Sequence, residues 1–108
     1  MNLPTEIFGE TIVVHTPEEL GRDQAEMFQS FVTNLERNNV VLDLDNTESL
    51  DSGGLESLLT SQNDLREGGG DVKIATTNTV NRKILEITQL DRQLEVFDSV
   101  IEAVKSYS

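Results

Sequence analysis

The chain contains no cysteine and no tryptophan, only 2 prolines, and just 5% aromatic side chains among its 108 residues. Without cysteine there is no disulfide, no thiolate metal site and no cysteine nucleophile. A reducing cytoplasm fits that absence and is the expected location. Basic residues are scarce too: 8 Lys and Arg against 20 Asp and Glu leave a net charge of −12. Binding to nucleic acid depends on Lys and Arg displacing phosphate counterions, and docking on anionic membranes needs the same charge, so neither partner is expected. No apolar run approaches the roughly 20 residues that span a bilayer, so no membrane insertion is expected. Met1-Asn2-Leu3-Pro4-Thr5-Glu6 has neither the basic start nor the apolar stretch of a signal peptide. There is a single histidine, His15, read as a surface residue at a strand end, and no nucleophile–histidine spacing accompanies it. No cluster of histidines and carboxylates suggests a metal. No cofactor and no catalytic activity are therefore expected.

What is present is a core of Leu, Ile and Val arranged in alternating periods. Thr5 to His15 reads as two short strands around Gly9-Glu10, the second carrying the β-branched run Ile12-Val13-Val14. Thr16 to Gly21 reads as a loop. Asp23 to Arg37 places Ala25, Phe28, Val32 and Leu35 on one helical face. Val40 to Leu44 is nearly continuous in apolar residues, as buried parallel strands are. A helix from Leu55 to Leu65 follows, closed by Gly68-Gly69-Gly70, which supply a left-handed C-terminal residue. Then come a strand at Val72, Ile74 and Ala75, and a helix capped by Asn78 and carrying Val80, Ile84, Ile87 and Leu90. Leu94 to Phe97 is a short strand. A last helix has Ser99 and Glu102 in capping-box spacing, with Val100, Ala103, Val104 and Tyr107 inside. Strands alternating with helices predict an α/β fold: one domain over residues 1–108, with a mixed, mostly parallel central sheet of about four or five strands and about four helices.

Two stretches invite chemistry. Asp43-Leu44-Asp45-Asn46-Thr47, after an apolar strand, resembles the Asp-x-Asp-x-Thr signature of haloacid dehalogenase-like phosphatases, in which the first Asp is the nucleophile and the second the general acid/base. Against it, the strand comes late in the chain, and the acidic pair that such a metal site needs is missing, since Asp91 and Asp98 stand apart. The alternative is structural: Asp43 turned toward solvent or a neighbouring loop, and Asp45-Asn46 starting a turn. The second stretch is Asp51-Ser52-Gly53-Gly54-Leu55, where a loop enters a helix. The first N–H groups of a helix lack internal partners and carry partial positive charge, so the spot accommodates a phosphate. Asp51 or Ser52 can cap the helix, and Ser52 can accept a phosphate. The glycines remove side chains beside the hydroxyl and let another backbone or an active site come close.

With Leu50-Asp51-Ser52-Gly53-Gly54-Leu55, Leu65-Arg66-Glu67-Gly68-Gly69 and Ile84-Leu85-Glu86-Ile87-Thr88-Gln89-Leu90 in this order and spacing, the chain resembles the STAS domain, most closely bacterial anti-sigma factor antagonists. The resemblance is continuous from about Val40 to Val104. It implies a regulatory protein without activity of its own, whose serine after the Asp is phosphorylated by a partner anti-sigma factor with a kinase-like fold and released again by a phosphatase. The unphosphorylated form binds the anti-sigma factor. By position the acceptor is Ser52, and the partner-binding residues are Asp51, Ser52, Gly53, Gly54 and Leu55. The chain departs from the family at Gly53, where Ser or Thr is frequent, and at Glu18-Glu19-Leu20-Gly21, where a Gly-x-Leu-Asp-like motif is frequent; that Asp is missing, or Asp23 replaces it. Two other readings stand beside this one: a constitutive STAS subunit of a transporter or stress-signalling assembly with Ser52 purely structural, and the small phosphatase using Asp43 and Asp45.

Overall fold

The computed structural model describes residues 1–108. Its central sheet has five strands in the order β1-β2-β4-β6-β7, where β1 is Thr5–Phe8, β2 Thr11–His15, β4 Asn39–Asp43, β6 Asp71–Ala75 and β7 Val96–Phe97. β1 and β2 form an antiparallel hairpin through Gly9, which has a φ of 62°, and every other pairing is parallel. The helices are α1 Arg22–Thr33, α2 Ser52–Glu67, α3 Thr79–Ile87 and α4 Val100–Lys105. The α/β class, the mixed and mostly parallel sheet and the four helices are those predicted.

Strand alternation sends side chains to two faces. Ile12, Val14, Val40, Leu42, Val72 and Ile74 pack with Phe28 and Val32 of α1, Leu55, Leu58 and Leu65 of α2, and Leu85 of α3 in the main core. Val13, Val41 and Ala75 point the other way, toward Ala103 of α4. α4 is secured from within: Tyr107 donates its hydroxyl hydrogen to the Val40 carbonyl at 2.8 Å. The buried Lys73 donates to Ser106 Oγ at 2.7 Å, its ammonium 4.1 Å from the centre of the Tyr107 ring.

Several boundaries differ from the predicted ones. α1 stops at Thr33, with Thr33 Oγ1 bonded back to the Gln29 carbonyl, instead of reaching Arg37. α2 begins at Ser52 and so contains the whole Ser-Gly-Gly segment. The predicted loop over Thr16 to Gly21 hides a two-residue strand, β3 (Glu19–Leu20), paired in parallel with β5 (Ser49–Leu50). α3 carries Val80 and Ile87 on its outside, 66% and 70% exposed, while Asn81 and Leu85 face inward. Leu90 is buried, but in a separate 3-10 turn. The glycine prediction holds at one position: Gly69, just past α2, is the left-handed residue, with a φ of 88°.

Candidate functional site

Two helix N-termini converge at the end of the central strands. β3 and β5 align Leu20 with Leu50, which puts Gly21 beside Asp51. Asp51 Oδ1 accepts the N–H of Gly54 at 2.9 Å and caps α2, while Oδ2 accepts the N–H of Arg22, the first residue of α1, at 3.2 Å. One carboxylate thus serves the unpaired donors of two helices. The N–H groups of Gly54 and Arg22 hold its carboxyl below the ordinary value of 3.8, so Asp51 carries its charge at neutral pH.

Ser52 is the first residue of α2, and it is exposed. Because Asp51 is the cap, the Ser52 hydroxyl is bonded to no other group of the chain. The sequence left capping open between these two residues; the fold divides the work. The hydroxyl opens onto a depression between α1 and α2 that Arg22, Ala25, Glu26, Gln29, Gly53 and Glu56 also line. A neighbouring depression holds Glu19, Asp23 and Asp51, and a third holds Glu18, Glu19 and Glu48. Arg22 is the one basic side chain in this acidic rim. Asp23 lines the depression that holds Asp51, which shares Arg22 with the one Ser52 opens onto.

The glycines meet the chain's own backbone. A Cβ on Gly54 would lie 1.8 Å from the Leu20 carbonyl oxygen, and one on Gly53 would lie 2.7 Å from Arg22 Cα. A Cβ on Gly21 would meet the Asp51 carboxylate at 2.7 Å. Their absent side chains seat the start of α2 against the turn into α1. Gly54 and Leu55 are buried and Gly53 half-buried, so Asp51 and Ser52 are the exposed members of the predicted group.

The connection from β4 into this site is tightly held. Asn81, on α3, donates from Nδ2 to the carbonyls of Leu44 and Thr47 at 3.0 and 2.9 Å. Thr47 donates its hydroxyl to the Pro17 carbonyl at 2.6 Å. Asp45 accepts the Thr76 hydroxyl at 3.1 Å and the Thr77 N–H at 2.6 Å. Asp43 is not turned toward solvent: it is 7% exposed and accepts from His15 Nδ1 at 2.9 Å. His15 in turn is half-buried rather than a free surface residue. Asp43 and Asp45 thus turn their carboxylates to different partners, linked only by the Asp45 N–H on Asp43 Oδ1 at 3.0 Å, and no group of three His, Asp or Glu is placed to hold a metal ion. No local pattern marks Arg22 or Asn81, and Thr47 stands out in the sequence only as part of the phosphatase-like signature. Gly21 reads in the sequence only as the end of the Thr16 to Gly21 loop.

The family model described as "STAS domain" matches residues 2–103. A protein of Thermotoga maritima named "Putative anti-sigma factor antagonist" is 26% identical over 106 residues, covering 94% of each chain. The crystal structure of a "putative anti-sigma factor antagonist" from the same organism superposes with a TM-score of 0.84 at 26% identity, covering 96% of this chain and 92% of that one. The phosphorylated form of the Bacillus cell fate determinant SpoIIAA superposes with a TM-score of 0.71 over 99% of this chain and 100% of that one; at 16% identity this is a likeness of fold.

Proposed function

The chain belongs to the STAS domain family, and we propose that it is an anti-sigma factor antagonist switched by phosphorylation at Ser52. The observation that carries this reading is the division of labour at the head of α2. Asp51 does the capping, and that leaves an exposed serine hydroxyl without a bond at a helix N-terminus. In the cytoplasm an anti-sigma factor with a kinase-like fold is the partner, and it transfers the γ-phosphoryl group of ATP to the Ser52 oxygen; a phosphatase hydrolyses the ester.

The physical basis is local. A phosphate on Ser52 would sit at the positive end of α2, so the modified chain stays folded. The acidic rim favours a partner with a basic face, which speeds encounter at low salt. At the contact itself, the phosphate adds bulk and about −1.5 to −2 charges, which the close-packed unmodified interface has no room to solvate. Weakening the complex tenfold takes about 1.4 kcal/mol, well within the reach of one unpaired charge in a desolvated contact.

The test is phosphate transfer. The chain is incubated with ATP and candidate anti-sigma factor kinases, and the modified residue is mapped by mass spectrometry. Labelling at Ser52, abolished in Ser52→Ala, and a complex with the kinase that dissociates on labelling are expected. A partner that binds the labelled and unlabelled chains equally well would overturn the switch and leave a constitutive STAS subunit.

A further inference from the structure

One imidazole bridges three neighbouring strands on the face of the sheet that α4 covers. His15 ends β2 directly opposite Asp43 of β4, and Glu6 of β1 lies opposite Val13, two residues back on the same face. Nδ1 is 2.9 Å from Asp43 Oδ2, and Nε2 is 2.7 Å from Glu6 Oε1. A neutral imidazole has one N–H and one lone pair, whereas ionised carboxylates only accept. Both contacts are hydrogen bonds only when the ring is the imidazolium. Glu6 and Asp43 are the charged groups that face it, and neither has a lysine or arginine partner. Asp45 touches the cluster through its backbone N–H on Asp43 Oδ1, its own carboxylate being turned to Thr76 and Thr77.

We propose that Glu6, His15 and Asp43 form a proton-operated latch that fastens the edge strand β1 to the sheet. With the proton on, the ring ties β1 to β4 across β2. With the proton off, one contact must go, and exposure decides which. The Asp43 side chain is 9% exposed and the Glu6 side chain 55%, so Glu6 rehydrates readily and Asp43 keeps the remaining N–H. β1 is suited to respond: its four residues are all exposed, and it pairs with a single neighbour. Partial burial of the ring disfavours its charge, but the hydrogen bonds to Glu6 and Asp43 prevail and raise its pKa above the ordinary 6.5. The latch is therefore closed below pH 6.5 and opens as pH rises through the raised value.

Nuclear magnetic resonance on the whole chain tests this in two readings between about pH 5 and 9, a range centred on the histidine titration. The His15 ring is expected to titrate above its unperturbed value. Amide protection factors in β1, corrected for intrinsic exchange and referred to β6, are expected to fall about two- to fivefold across that titration, the scale of a largely solvated ion pair. In Glu6→Gln the ring should titrate lower and the β1 protection should lose its pH dependence. A ring that titrates at or below 6.5, or β1 protection that tracks β6 at every pH in the wild type, overturns the latch.

Discussion

Asp51 and Gly54 decide what the candidate site is. A carboxylate bonded to one helix start would be an ordinary cap. Bonded to the starts of both α1 and α2, it sets how the two helices meet, and it frees Ser52 from that duty. Gly54 makes the arrangement possible, since the Leu20 carbonyl oxygen occupies the place a Cβ would take, 1.8 Å away. Gly54→Ala should therefore cost about 3 kcal/mol or more, because the obstacle is backbone and cannot rotate aside. Gly68→Ala is the control. Its Cβ would meet only the Leu65 carbonyl oxygen at 3.6 Å, and its φ of −91° suits alanine. A gain of about 0.4–1 kcal/mol is expected there from reduced freedom of the unfolded chain. Urea denaturation of both variants reads the contrast. Residue order alone singles out the candidate stretch and a close backbone beside its glycines; which backbone comes close was not legible, because Leu20 and Arg22 are distant in sequence and arrive through the β3–β5 pairing.

Among the elements, α3 departs most from its sequence pattern. Val80, Ile84 and Ile87 repeat at helical spacing and read as a core stripe, yet Val80 and Ile87 are on the surface. Asn81 takes the inward place because the carbonyls of Leu44 and Thr47 need its donors, and that polar demand rotates the helix. Leu85 is fully buried beside it. Leu85→Ala should lose about 2–4 kcal/mol, while Ile87→Ala should stay within about 0.5 kcal/mol of the wild type. Equal losses in thermal or chemical unfolding would contradict this orientation. α4 behaves as its pattern predicts, with Ser99 accepting the Glu102 N–H at 3.1 Å and Ala103 buried, because the buried Lys73 beneath it is met by Ser106 and Tyr107 just past the helix and leaves the apolar positions in place.

At the scale of the whole molecule, charge is the dominant surface property. With −12 on 108 residues, folding gathers like charges, and the rim near Ser52 concentrates Glu18, Glu19, Asp23, Glu48 and Asp51 at one end. Added salt screens such repulsion over about 10 Å at 0.1 M and less at higher concentration. The urea midpoint should therefore rise between roughly 10 mM and 0.5 M NaCl; an unchanged or falling midpoint would show that attractive pairs outweigh the repulsion. No helix is long and apolar enough to cross a membrane.

Local pattern was enough to determine the strand–helix alternation, the mixed sheet, the Asn78 and Ser99 caps and the position of Ser52, because periodicity, capping and turn chemistry are carried by residues a few places apart. Tertiary structure alone decided which residue caps α2, which face of α3 is buried, and that His15 stands between two carboxylates from other strands. Those outcomes depend on groups brought together across the sheet, where one buried carbonyl or one charge outweighs the local preference of any single segment.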